Sequence, residues 1–199
     1  MQKLLIATGN PGKVKEMQAL LTGLEVELVT PKLLGLTLEV EEDGATYQEN
    51  AGKKARAYSQ ASGLIALADD SGLEVQALNG EPGLYSARYS GRVGASDADR
   101  RAFLLSKLAG RPGPWAARFH ATVALGQPDG QVEFAEGNCY GEIISIERGD
   151  KGFGYDPIFL IPTLNRTMAE LTMDEKNRLS HRALAVKQIR PMLDRLFRR

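Results

Sequence analysis

The chain has 199 residues, 43% hydrophobic and 25% charged, enough to bury a core and too apolar for a disordered chain. Its 25 Lys and Arg balance 25 Asp and Glu, which argues against a generally basic nucleic-acid coat, and the single cysteine, Cys139, excludes an internal disulfide framework or a multi-thiolate zinc site. No apolar run approaches the roughly 18 residues that cross a bilayer, and the apolar start is too short for a secretory leader. A soluble cytoplasmic globular protein is the expectation.

In chain order, Leu4 to Ala7 form a short apolar run that suits a buried strand, closed by the turn residues Gly9, Asn10, Pro11 and Gly12. From Lys13 the period changes to that of a helix through Val14, Met17 and Leu21, stopped at Gly23, and Val26 to Val29 read as a second strand. That strand–helix–strand opening predicts parallel pairing. Residues 46–62 predict a helix with Ala51 and Ala55 inward, and 64–68 a buried strand that runs straight into Asp69-Asp70-Ser71-Gly72. Ser96 and Asp99 make a capping-box pair for a helix over Ala102, Leu105 and Leu108. Alternation from Arg118 to Leu125 predicts a strand, followed by another at 132–135 and a further one in "CYGEIIS". Thr172 and Glu175 would start one long final helix, kinked or broken at Pro191. The sum is an α/β protein with a mixed sheet and flanking helices, in one domain or two lobes around a cleft.

Four segments could carry chemistry. "TGNPGK", residues 8–13, joins a strand to a helix, where backbone N–H groups and Lys13 favour an anion; a plain tight turn with a solvated lysine reads the same. Its spacing matches neither the Walker A nor the dinucleotide glycine motif. Glu41-Glu42-Asp43, then Glu49, then Asp69-Asp70 offer the hard oxygen ligands that suit Mg²⁺, although part of the first group could be a solvated turn. "GDKGFGYDPIF" could bring a ring against a planar ligand, or bury Phe153 and Tyr155 at a bulged strand entry. Lys176, Ser180 and Arg182 could share a face of the last helix, where Arg182 and His181 would donate to base carbonyls, or could be a solvated surface. No nucleophile–base pair stands out; His120 lies on a strand pattern and Cys139 reads as a packed side chain. Metal-assisted attack by water therefore suits the residues better than covalent catalysis.

The run of "TGNPGK", "EEDGATYQENAGKKA", "ALADDSGLEV", "GEPGLYSARYSG", "GFGYDPIF" and "AELTMDEKNRLSHR", from residue 3 to about 190, resembles the inosine triphosphate pyrophosphatase family, in its bacterial branch. The resemblance implies an elongated, two-lobed α/β fold around a long central mixed sheet, residues 1–199 forming a single domain with a substrate cleft. It also implies a homodimer, a small-molecule nucleoside triphosphate as partner, no nucleic acid, no membrane, and hydrolysis of ITP, dITP and XTP to the monophosphate and pyrophosphate with Mg²⁺. Carried over by position, Thr8, Gly9, Asn10, Pro11, Gly12, Lys13 and Lys54 would hold the triphosphate. Glu42, favoured over Glu41 by alignment alone, would bind the metal with Asp70, which would also be the general base. Ser71 would touch the substrate, and Phe153, Gly154, Tyr155, Asp156, Lys176, His181 and Arg182 would form the nucleoside pocket.

Overall fold

A computed structural model describes residues 1–197. Seven strands form one mixed sheet: β1 (Lys3–Ile6), β2 (Glu27–Val29), β3 (Ile65–Val75), β4 (Trp115–Gly126), β5 (Val132–Ile143), β6 (Phe159–Ile161) and β7 (Arg166–Thr167), in the order β2-β1-β3-β4-β5-β6-β7. Five α-helices accompany them among the described residues: α1 (Pro11–Leu20), α2 (Tyr47–Ser62), α3 (Asp97–Leu108), α4 (Met173–Leu179) and α5 (His181–Phe197). The chain divides into two units, with β3, β4 and β5 each contributing to both.

The first unit holds residues 1–70, 121–137 and the C-terminal segment from His181. The expected parallel opening is present: β1 pairs in parallel with β2 and with β3, Leu5 lying opposite Val29 and Ala66. Alternation along the strands sorts the side chains between two packed faces. Leu4, Ile6 and Leu67 pack with Met17 of α1 and with Ala185, Val186 and Ile189 of α5. Leu5, Ala7, Ala66 and Ala68 pack with Ala51 and Ala55 of α2. Small residues let α2 approach its strands so closely that a Cβ on Gly126 would lie 2.6 Å from the Ala55 carbonyl oxygen. This close seat fixes the height at which Asn50 and Lys54 stand.

The second unit, residues 71–120 and 138–180, has its own core. Leu73 and Val75 of β3, Leu104 and Leu108 of α3, Phe119 of β4, Ile143 of β5 and Phe159 of β6 pack together. The rings of Phe119 and Phe159 meet at 4.4 Å between centroids. Here β5 and β6 pair antiparallel, as do β6 and β7.

Three expectations needed correcting. The third strand does not stop at Ala68; β3 runs through Asp69, Asp70 and Ser71 to Val75, because partners elsewhere in the chain neutralise its carboxylates. The two short strands expected at 132–135 and in "CYGEIIS" are one strand, β5. The long final helix is two: Ser180 adopts an extended backbone (φ −66°, ψ 153°), ending α4 and letting α5 begin at His181. Helix α5 then runs on through Pro191. The carbonyl four residues before that proline belongs to exposed Lys187, where solvent can replace the missing donor.

Candidate functional site

The turn after β1 is built by local hydrogen bonds. Asn10 caps α1, its Oδ1 accepting from the backbone N–H groups of Gly12 (2.9 Å) and Lys13 (3.2 Å). Pro11, the first helical residue, has no N–H to give, and Thr8 Oγ1 accepts from the Asn10 N–H at 3.2 Å. Two of the donors expected to face an anion are thus taken by Asn10 in this structure. The anion-directed feature of the turn is the Lys13 ammonium, together with exposed Gly9, whose surroundings are open.

Asp69 and Asp70 are adjacent, so the pleat of β3 sends their side chains to opposite faces. Asp69 follows Leu67 toward α1 and α5. Its Oδ2 accepts from Arg182 Nε (3.1 Å) and Nη2 (2.9 Å), while Oδ1 makes an ionic contact with Lys13 Nζ at 3.1 Å. Arg182 Nη1 donates to Glu16 Oε2, and Arg182 is only 1% exposed. Burial alone would raise the Asp69 carboxyl, but Arg182, Lys13 and Lys54 outweigh it and hold the group far below the usual carboxylate range. Burial also lowers the Lys13 ammonium, against the opposing pull of Asp69.

Asp70 follows Ala66 and Ala68 toward α2. Its Oδ2 accepts from Asn50 Nδ2 at 3.1 Å, and its Oδ1 lies 3.6 Å from Lys54 Nζ. The same ammonium lies 3.4 Å from Glu42 Oε1 and donates to the Asp69 carbonyl oxygen at 2.8 Å. Burial raises the Asp70 carboxyl, with Lys54 and Lys13 opposing and Glu42 adding to the rise. Of the acidic run, Glu42 is the member turned to this cluster. Glu41 is exposed, and Asp43 pairs with Lys53 on the surface.

Asn50 escaped the sequence reading. It is 1% exposed, and its Oδ1 accepts from the Gly44 N–H at 2.8 Å while its amide holds Asp70. One side chain therefore ties the Glu42 segment to the Asp70 strand. Gly44 has no room for a Cβ, which would stand 2.6 Å from that Asn50 oxygen. Glu16 also escaped; it lies one residue from Met17 in an amphipathic helix, and nothing local distinguishes it from a solvated acid.

The donor set suits a hard divalent cation. Glu42 and Asp70 converge on one ammonium and offer only oxygens, the arrangement in which Mg²⁺ takes one or two carboxylates and completes its shell with water and phosphate. The charge balance agrees. Lys13, Lys54 and Arg182 face Glu16, Glu42, Asp69 and Asp70, so the cluster carries no positive excess to attract a polyanion unless a cation joins it. Among the described residues no group of three or more His, Cys, Asp or Glu is placed to hold a metal.

The other expected residues lie as follows. Ser71 continues β3, half-buried, in the second unit. There Asp156 Oδ2 accepts from Lys176 Nζ at 2.6 Å and from the Phe153 N–H at 3.0 Å, and the Lys176 ammonium stands 5.3 Å from the Phe153 ring centroid. Tyr155 is buried, its hydroxyl donating to the Ser86 carbonyl at 2.9 Å. His181 is buried at the start of α5, in the first unit. The shared helix face proposed for Lys176, Ser180 and Arg182 does not exist, because Ser180 interrupts the helix. Arg182 is buried, and each of its three nitrogens donates to Asp69 or Glu16. Cys139 packs in the second core, and His120 Nδ1 lies 2.9 Å from Asn138 Oδ1.

Comparison with known proteins places this geometry among relatives. The Ham1 family profile matches residues 4–192. A dITP/XTP pyrophosphatase of Desulforamulus reducens is 47% identical over 197 residues, 98% of this chain and 97% of that one. One from Thermus thermophilus is 48% identical over 188 residues, 94% of this chain and 89% of that one. Among solved structures, a HAM1 protein from Coxiella burnetii matches with a TM-score of 0.87 at 40% identity, covering 98% of this chain and 100% of that one. A nucleoside-triphosphatase / dITP/XTP pyrophosphatase from Mycobacterium abscessus matches with a TM-score of 0.74 at 44% identity, covering 96% and 100%.

Proposed function

The chain belongs to the Ham1 family, and on that premise we propose that it hydrolyses the non-standard purine triphosphates ITP, dITP and XTP to the monophosphate and pyrophosphate. It is a nucleoside triphosphate pyrophosphatase. The observation that carries the reading is the convergence of Glu42 and Asp70 on Lys54, with Lys13 in the same cluster.

Lys13 and Lys54, with the turn from Thr8 to Lys13, hold the phosphates and offset their charge on either side of the bond that breaks. Asp70 accepts the proton of the attacking water. Asn50 fixes the orientation of the Asp70 oxygens. Mg²⁺, held by Glu42 and Asp70, would neutralise phosphate charge and make bound water more acidic.

Phe153, Gly154, Tyr155, Asp156, Lys176 and His181 take the nucleoside, and Ser71 touches the substrate. Selecting hypoxanthine or xanthine over adenine means rewarding a carbonyl at C6: protein N–H donors bond to that oxygen, whereas the C6 amino group of adenine would set a donor against a donor. Lys176, oriented by Asp156 beside the Phe153 ring, is the buried cation of this group. The homodimer and cytoplasmic location belong to the same reading. No helix among the described residues is long and apolar enough to cross a membrane.

The test is pyrophosphate release from ITP, XTP, ATP, GTP and dTTP with Mg²⁺. Turnover of ITP and XTP over ATP, abolished by EDTA, is expected; dominant turnover of dTTP would reject the purine assignment. A monomer mass by light scattering would remove the dimer.

A further inference from the structure

We propose that Asp97 and Arg101 are positioning residues for base selection, holding the Phe153–Asp156 loop in its binding shape before substrate arrives. The inference rests on the reading that this loop takes the base.

Asp97 opens α3 and Arg101 stands one turn later on the same face. Asp97 Oδ2 accepts from the Gly154 N–H at 2.7 Å, and Arg101 Nη1 donates to the Gly154 carbonyl at 2.8 Å. Both backbone polar groups of one residue are thus held by one helix. Arg101 is itself fixed: its Nε and Nη2 donate to the two oxygens of Glu147 at 2.8 and 2.9 Å, the fork-to-carboxylate geometry that lysine cannot reproduce. All of these groups lie in the second unit.

The loop needs such a hold. Gly149, Gly152 and Gly154 have φ of +82°, +80° and +62°, a backbone region that glycine enters freely and leaves freely. A loop of that composition would lose conformational freedom on binding, at a cost in affinity and in precision. Inside the loop, Asp156 joins the Phe153 N–H to Lys176. Phe153 and Lys176 are therefore mutually placed by Asp156, and the Gly154 clamp places that assembly on α3. Displacing it by a fraction of an ångström misaligns ring and ammonium against the base.

The experiment compares kcat/KM for ITP and ATP in Asp97→Ala, Asp97→Asn, Arg101→Ala, Arg101→Lys and Phe153→Ala, with melting temperatures recorded. Asp97→Ala and Arg101→Ala should lower the ITP/ATP ratio about tenfold, with kcat at saturating ITP within about twofold, because only positioning toward the base is lost. Asp97→Asn should restore the ratio, since its amide oxygen still accepts from Gly154. A role confined to stability would lower the melting temperature and leave the ratio alone. Folded alanine variants with the original ratio, beside a Phe153→Ala variant whose kcat/KM for ITP has fallen, overturn the inference. A Phe153→Ala variant that keeps its kcat/KM for ITP shows instead that the loop does not take the base, and the underlying reading falls with it. Should an alanine variant not fold, Arg101→Lys decides: a lowered ratio supports the clamp and an unchanged one refutes it.

Discussion

Arg182 donates from two nitrogens to a single oxygen of Asp69, at 3.1 and 2.9 Å, across 113 residues of sequence. Both side chains are 1% exposed. Glu16 takes the third nitrogen and Lys13 faces the other Asp69 oxygen. A charge buried this deeply is tolerable only with its partners present. The network therefore fixes the position of Lys13, the lysine that the turn after β1 presents.

Removing one partner should be costly. Asp69→Asn and Arg182→Ala are each expected to lower unfolding free energy by about 3–5 kcal/mol, since each strands a buried charge. The double variant should lose less than the sum of the two. Urea denaturation of the four chains measures this, and fully additive losses would show that the pair is not coupled.

Asp70→Asn should behave differently. The amide keeps the shape of the side chain but cannot take a proton, so turnover of ITP should fall by at least about a hundredfold, the lower end of a general base's contribution. ITP binding should stay measurable by calorimetry, because Lys13 and Lys54 remain. Near-original turnover would remove Asp70 from the role of base.

How far the sequence led depends on where each residue's partner lies. Ser96 and Thr172 cap α3 and α4 as their local patterns predict, because a cap bonds within three residues. Gly63 ends α2 in the left-handed region for an equally local reason. The continuation of β3 through two aspartates was hidden because the groups that neutralise them come from α1, α2 and α5. The break at Ser180 was hidden because Leu179, Ala183 and Val186 keep the helical period on either side of it. Glu42 could be favoured over Glu41 only through the family resemblance; the structure separates them by exposure and by the Lys54 contact. Asn50 had no local signal at all, since an asparagine on a polar helix resembles any solvated residue until its partners are known.

Asn50 and Gly44 should prove to be one device. Asn50→Leu keeps the bulk but removes both hydrogen bonds, and is expected to cut kcat by roughly ten- to a hundredfold through loss of Asp70 orientation. Gly44→Ala sets a methyl group 2.6 Å from the Asn50 oxygen and should produce a similar loss. Combining them should add little, since the second change acts on a link already broken. Multiplicative losses in steady-state kinetics would mean that the two residues act separately.

Cys139 provides the pH test. Burial first, and then Asp156, push its thiol up to about 11. At pH 8 the thiolate fraction of the folded chain is on the order of 10⁻³, so a thiol reagent should label native protein slowly and the urea-unfolded chain at once. The sign for stability follows from linkage: the folded state holds its proton where the unfolded state, with a thiol near 9, releases it. Stability therefore falls as pH rises from about 9 toward 11, by on the order of 1 kcal/mol at pH 10. Cys139→Ala should lack this component. Parallel stability curves for the two chains between about pH 8 and 10 would show that the thiol titrates freely in the folded protein.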